Sequence, residues 1–148
     1  MTTQDRFTLM LEMQLELQKK HMKDGDPRLL SGDERADFMR WNAFALEDEI
    51  HEAMQEVGWK PWATNRDINQ ELFLKEMVDA FHFFMNMLLC GMGHLQPAGI
   101  ADAFTIAYIE KNAVNAQRQQ EGYTGQAKCP FCKRELLPDG TCPDWPCG

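Results

Sequence analysis

The sequence is short of positive charge. Its 148 residues include 15 Lys and Arg against 23 Asp and Glu, which gives a formal net charge of −8. A protein that binds polynucleotides or an anionic membrane through its surface needs a basic face to neutralise phosphates, and this composition supplies none. We therefore expect no polynucleotide partner and no membrane attachment.

Proline and cysteine are scarce through most of the chain. Only three prolines precede residue 129, and four of the five cysteines fall in the last 20 residues. A secreted disulfide scaffold would carry its cysteines throughout the fold. The first residues also lack the apolar segment of a signal peptide. These features predict a cytoplasmic protein.

Strand-like alternation is also lacking, and between the prolines apolar residues recur every three or four positions. This spacing predicts four helices over residues 4–23, 33–57, 68–92 and 97–120, the second of them capped by Ser31, Gly32 and Asp33. Residues 80–101 carry no charged side chain, but His82 and Asn86 lie within this run, so we expect a buried helix and not a membrane span. The sequence predicts an all-α helical domain over residues 1–122, a linker over 123–128 and a cysteine-rich tail over 129–148.

Two carboxylate pairs stand out within the predicted helices. Glu49 and Glu52 are three residues apart, as are Glu76 and Asp79, so each pair shares a helix face. Solvated helix faces show the same spacing, but Glu76 and Asp79 interrupt the most apolar helix of the chain. Facing pairs would repel one another unless cations lay between them, and Mg²⁺ prefers such oxygen ligands. The pairs predict a Mg²⁺ site with room for a phosphate chain.

The cysteine-rich tail has the spacing of a zinc site. Cys129 and Cys132 form a Cys-Pro-Phe-Cys segment, and Cys142 and Cys147 follow after nine and four residues. Four thiolates around Zn²⁺ are a common structural solution for a segment too short to build its own core. Disulfides or free thiols are the alternative. We expect a structural Zn²⁺ in a small zinc-ribbon-like tail.

Several motifs extend the carboxylate pattern. The carboxylate pattern is Glu-x-x-Glu, then 23 residues, then Glu-x-x-Asp. It is accompanied by the loop Trp59-Lys60-Pro61-Trp62, by His82-Phe83 after the second pair, and by Lys-Asn-x-x-Asn-x-x-Arg-Gln-x-x-Gly-Tyr over residues 111–123. Together they resemble the all-α nucleoside triphosphate pyrophosphohydrolase superfamily, which includes MazG and the dimeric dUTPases. Gln18 makes the T-even-type phage dCTP/dUTP pyrophosphatase group the most similar branch.

The resemblance implies a four-to-five-helix bundle of the MazG and dimeric-dUTPase type. It also implies Mg²⁺-dependent hydrolysis of dUTP or dCTP, or both, to a nucleoside monophosphate and pyrophosphate. The protein would be a homodimer or a higher homo-oligomer, in the host cytoplasm if the chain is viral. Glu49, Glu52, Glu76 and Asp79 would hold Mg²⁺ as the catalytic set.

Amide, aromatic and basic side chains supply the candidates for substrate binding. Lys111, Asn115 and Arg118 share a helix face suited to phosphate, although late helical turns also carry solvated basic stripes. Gln14 and Gln18 offer amides to a base edge. The candidates for substrate contacts are Gln14, Gln18, Trp59, Lys60, Trp62, His82, Asn86, Lys111, Asn112, Asn115, Arg118 and Tyr123.

Two alternatives to a dUTP or dCTP pyrophosphohydrolase stay open. The same chemistry could act on another nucleotide, such as dGTP or a modified deoxynucleotide. A non-enzymatic zinc-ribbon adaptor on a helical bundle is the second alternative, but an adaptor has no need of two facing carboxylate pairs.

Overall fold

The structure, a computed structural model, describes residues 5–21, 25–121, 129–132, 134–137 and 139–143. Four helices make up most of it: α1 (Arg6–His21), α2 (Gly32–Gln55), α3 (Gln70–Gly91) and α4 (Pro97–Glu121). A short 3₁₀ helix, Pro27–Leu29, lies between α1 and α2. The described residues contain no strand, so the predicted all-α fold is confirmed, and each observed helix end lies within two residues of its expected position. No helix among these residues has the length and apolar character that crossing a membrane requires.

Polar side chains and backbone groups define where the helices begin and end. Asn69 caps α3, since its side chain accepts a hydrogen bond from the Leu72 backbone N–H at 3.4 Å. Ser31 precedes α2, and its carbonyl accepts from the Arg35 N–H at 3.3 Å. The Ser31 side chain makes no capping hydrogen bond, so the expected cap is a backbone cap only. Gly58 follows α2 with a φ of 53°, which glycine adopts at little cost.

The chain divides into two compact units, residues 1–105 and 106–148. The first unit contains α1, α2, α3 and the first turns of α4. Its core lies where α1, α3 and the start of α4 meet, with α2 and the 3₁₀ helix also packed against α3. The buried members of this core are Leu11, Leu15, Met85, Leu89, Ile100 and Ala101.

The second unit contains the rest of α4 and the cysteine segment. The predicted linker lies outside the described residues, as does the expected domain boundary at residue 122. Those predictions therefore stay predictions.

Candidate active site

Three carboxylates from two helices come together in the first unit. Glu49 on α2 and both Glu76 and Asp79 on α3 have carboxylate oxygens that all lie within 4.8 Å of one another. Each of the three side chains is half-buried. Oxygens at such distances need only small side-chain movements to reach the separations of about 3–4 Å found around an octahedral Mg²⁺. The three residues therefore fit a Mg²⁺ ion.

Glu52, the fourth predicted ligand, is exposed and lies outside this group of three. The reason is its angular position on α2, whose buried residues are Asn42 and Ala53. At 3.6 residues per turn, Glu49 lies about 20° from Asn42 around the helix axis, whereas Glu52 lies about 80° away. Glu52 is still close enough for its charge to raise the pKa of Glu49. Its role as a ligand stays a prediction.

The carboxylate group has an excess of negative charge. The pKa of Glu49 is raised above its usual range, first by partial burial and then by the charges of Glu52, Asp79 and Glu76, with a hydrogen bond to Glu76 adding to the shift. The Lys75 ammonium lies beside the group, with its Nζ 3.3 Å from Glu76 Oε1. That lysine side chain is 66% exposed, so water screens much of its charge. A divalent cation would neutralise the negative charge that Lys75 leaves uncompensated.

A cleft of about 350 Å³ adjoins the carboxylates. The lining residues come from α1, α2 and α3 and are Gln14, Leu17, Gln18, Glu49, Asp79, His82, Phe83 and Asn86. Six of the eight are residues for which the sequence predicted a role in the site. Leu17 and Phe83 were not among them, although Phe83 directly follows His82 in the motif that carried the resemblance. The cleft therefore combines carboxylates, amides, one imidazole and two apolar side chains.

Hydrogen bonds connect the amides of this cleft into a chain. His82 Nδ1 lies 2.6 Å from Gln14 Oε1, and Gln14 Nε2 donates to Asn86 Oδ1 at 2.6 Å. Asn86 Nδ2 donates to Asn42 Oδ1 at 2.8 Å, and Asn42 Nδ2 donates to the Phe38 carbonyl at 2.7 Å. Gln14, Asn86 and Asn42 are only 2%, 4% and 7% exposed. Asn42 was not among the predicted site residues, because its burial depends on a partner from another helix, Asn86 on α3.

A second, larger groove lies at the end of α2 and has a volume of about 830 Å³. Trp59 and Lys60 line it together with His51, Met54, Gln55, Gly58 and Ala63. Neither Trp59 nor Lys60 is among the residues that line the carboxylate cleft. Trp62 is 77% exposed and lines neither of the two cavities. The structure thus places the Trp-Lys-Pro-Trp loop beside a groove of its own.

The predicted phosphate-binding residues of α4 belong to the second unit. Lys111, Asn112 and Asn115 are exposed and Arg118 is half-buried, all on the continuous helix that the spacing predicted. Tyr123 lies outside the described residues. The role of Lys111, Asn115 and Arg118 in phosphate binding, and that of Asn112 and Tyr123 as substrate contacts, stay predictions.

Three cysteines of the second unit form a cluster. The Sγ atoms of Cys129, Cys132 and Cys142 lie within 4.8 Å of one another, with Cys132 and Cys142 3.4 Å apart. That separation is too long for a disulfide bond. Zn²⁺–S bonds of 2.3 Å in a tetrahedral site place sulfurs about 3.8 Å apart, so the three residues fit zinc. Cys147 lies outside the described residues, and Cys90 is buried on α3.

A family model described as dUTPase matches residues 6–93, which is more than half of the chain. The chain belongs to the dUTPase family. The matched span contains all three clustered carboxylates and every residue that lines their cleft, and it ends before α4 and the C-terminal cysteine cluster. Membership of the dUTPase family implies a nucleotide pyrophosphohydrolase. No curated protein and no solved structure matches the chain.

Proposed function

We propose that this member of the dUTPase family hydrolyses dUTP, dCTP or both to the nucleoside monophosphate and pyrophosphate, with Mg²⁺ held by Glu49, Glu76 and Asp79. The observation that carries the proposal is the adjacency of the carboxylates to a cleft lined by amides. Carboxylates suit a metal-bound polyphosphate, and amides suit the edge of a base. Both lie within the span that the family model matches.

The carboxylates contribute chemistry that metal-assisted phosphate hydrolysis needs. Bound Mg²⁺ would screen the negative charge of the triphosphate and make a coordinated water more acidic. Glu49, Glu76 and Asp79 fix the position of that charge because each is anchored on a helix and half-buried. A water molecule would then attack the α-phosphorus, and the bond between the α- and β-phosphates would break to release pyrophosphate.

Gln18 is our candidate for reading the pyrimidine. Its side chain lines the cleft, is half-buried and makes no hydrogen bond within the described part of the chain. A free carboxamide can present either its oxygen or its NH₂ group, and uracil and cytosine differ in donor and acceptor at one position. We therefore expect Gln18→Leu to weaken the binding of both nucleotides, seen as an increase in KM.

Pyrophosphate release tests the proposed activity. Each deoxynucleoside triphosphate is incubated with the protein and Mg²⁺, and the same reactions are run with Glu76→Ala and with Glu47→Ala as the matched control. We expect release from dUTP, dCTP or both, loss of release in Glu76→Ala, and wild-type activity in Glu47→Ala, whose side chain is exposed and outside the cluster. No release from any nucleotide would favour the adaptor alternative. Release from dGTP alone would overturn the pyrimidine assignment.

We also propose a structural Zn²⁺ at Cys129, Cys132 and Cys142, with Cys147 as the fourth ligand. The support is the clustering of three sulfur atoms at separations that suit tetrahedral zinc. Elemental analysis of the purified protein should find one zinc per chain, and Cys132→Ser should lose it. Cys90→Ser is the matched control, because Cys90 lies outside the sulfur cluster. Zinc retained in Cys132→Ser would exclude this ligand set.

We further propose that the chain forms a homo-oligomer, at least a dimer. Trp41 and Phe44 on α2 are 72% and 54% exposed, and Leu74 on α3 is 63% exposed. Large apolar side chains exposed to this extent are typical of surfaces that associate. Sedimentation equilibrium should give a mass of at least twice 17.1 kDa, and Trp41→Glu should lower it. A monomer at all concentrations would contradict the proposal.

A further inference from the structure

The buried chain of amides has a direction, and a backbone carbonyl sets it. The Phe38 carbonyl oxygen can only accept a hydrogen bond, so the Asn42 group 2.7 Å from it is the NH₂ group. The Asn42 side-chain oxygen then faces Asn86. Because that oxygen also can only accept, Asn86 presents its own NH₂ group to it, at 2.8 Å.

The same reasoning continues to His82. With its NH₂ group turned to Asn42, Asn86 offers its oxygen to Gln14, which must donate from Nε2 at 2.6 Å. Gln14 is left with its oxygen facing His82 Nδ1, also at 2.6 Å. A carboxamide oxygen carries no hydrogen, so the hydrogen of this last bond belongs to Nδ1.

Reversing any amide of the chain produces a mismatch. If all three turned together, the Asn42 oxygen would face the Phe38 carbonyl oxygen, and if one turned alone, two oxygens or two NH₂ groups would meet. The three amides are at most 7% exposed, so water has little access to satisfy the mismatched groups. A buried polar group without a partner is disfavoured by about tenfold or more in population.

We propose that this amide chain holds His82 in the tautomer with hydrogen on Nδ1, so that Nε2 accepts a hydrogen bond from the nucleoside. The inference rests on the proposed function, because it places the nucleoside in the cleft that His82 lines with Glu49 and Asp79. Which ring nitrogen of a histidine carries hydrogen is set by the partner of the other nitrogen. Asn42 and Asn86 are then positioning residues that act through Gln14.

An acceptor at Nε2 selects a particular ligand chemistry. It takes a donor such as the sugar hydroxyl or the N3–H group of uracil, and it disfavours an acceptor at the same place, such as N3 of cytosine. The opposite tautomer would have the reverse preference. Asn42, although it contacts no substrate, thereby influences which nucleoside is bound.

The tautomer can be read directly from the ¹⁵N shifts of labelled histidine in the whole protein, recorded at a pH at which the shifts themselves report a neutral ring. The His82 signal is assigned by its loss in His82→Gln. We expect hydrogen on Nδ1 in the wild type and in Glu47→Ala, whose exposed side chain on the same helix lies outside the amide chain. In Asn42→Leu, Asn86 and Gln14 can turn, so the Nε2–H form should appear. Hydrogen on Nε2 in the wild type, which needs no variant, would overturn the proposal, as would an unchanged tautomer in folded Asn42→Leu.

Kinetics identify the donor. We expect Asn42→Leu to raise KM by about tenfold with a smaller change in kcat, and Glu47→Ala to leave KM at the wild-type value. If Asn42→Leu does not raise KM for 2′,3′-dideoxy-UTP, the donor to Nε2 is the sugar hydroxyl. If it does not raise KM for dCTP, the donor is uracil N3–H. An equal penalty with all three nucleotides would overturn the nucleoside contact. Failure of the wild type to hydrolyse any nucleotide would overturn the proposed function, while the ¹⁵N shifts would still decide the tautomer.

Discussion

Without metal, the crowded carboxylates should destabilise the protein, so that removing one charge makes it more stable. Glu49→Gln keeps the shape of the side chain and its capacity to hydrogen-bond with Glu76, but it removes the repulsion from both Glu76 and Asp79. At 4.8 Å, the upper limit of their separation, two like charges repel by about 0.9 kcal/mol in water and about 3.5 kcal/mol at an effective dielectric constant of 20. Because the three side chains are only half-buried, we expect a net gain of about 1–3 kcal/mol.

The pKa of Glu49 gives the pH dependence of this gain. A folded-state pKa raised above the unfolded value means that the ionised carboxylate opposes folding at pH values above the folded pKa. The difference in unfolding free energy between Glu49→Gln and the wild type should therefore be largest at neutral pH. It should shrink as the pH falls through the pKa of Glu49.

Thermal unfolding in EDTA measures the effect. At this chain length, each kcal/mol corresponds to roughly 2–4 °C in Tm. Adding Mg²⁺ should raise the Tm of the wild type more than that of Glu49→Gln, since a ligand at a given concentration stabilises the fold more when it binds more tightly. Glu47→Gln removes an exposed acidic charge from the same helix, outside the cluster, and should change little. If the Tm of Glu49→Gln in EDTA is equal to or below that of the wild type, the reasoning is refuted.

Three further predictions concern stability. Leu89 is fully buried in the core, so Leu89→Ala should lower the free energy of unfolding by about 2–5 kcal/mol in urea titrations. A Cβ on Gly93 would clash with the Arg28 carbonyl oxygen and lie 2.9 Å from Arg28 Cα, so Gly93→Ala should lower Tm by the equivalent of about 1–3 kcal/mol. Gly91→Ala is its matched control and should not lower Tm, because outside its own helix the added Cβ would meet only Met39 Cε, at 3.9 Å. Hydrogen bonds from Arg28 lower the pKa of Asp26. Asp26→Asn should therefore lower the free energy of unfolding by about 1–2 kcal/mol at pH 7. This difference from the wild type should disappear as the pH falls below about 4.

The helices could be predicted because local sequence marks their ends. Asn69 caps α3 and Gly58 follows α2, and both act through their own backbone or side chain within a few residues. The proximity of Glu49, Glu76 and Asp79 could be predicted for a similar reason, since spacing along a helix fixes direction around it. The same rule could not show that Glu52 lies outside the group of three, because residues three apart still differ by about 60° around the axis.

Tertiary partners explain what the sequence left open. Asn42 reads as an ordinary polar residue of α2 and becomes a buried one only because Asn86 on α3 lies beside it. The loop that carries Trp59 and Lys60 has no helical periodicity, so nothing in its spacing indicated that it borders a separate groove. Its position depends on contacts such as the Asn69 N–H bond to the Glu56 carbonyl at 3.0 Å, which joins the two ends of the loop.

The amide chain behind His82 also limits how that imidazole can exchange protons. A hydroxyl or a water molecule can accept a proton on one side and release another on the opposite side, so rows of such groups conduct protons. Carboxamides such as Gln14 and Asn86 do not, because protonating the oxygen or deprotonating the nitrogen of an amide is strongly unfavourable at neutral pH. The interior therefore transmits orientation to His82 but delivers no proton, and any proton that the ring gains or loses during turnover must pass through the cleft.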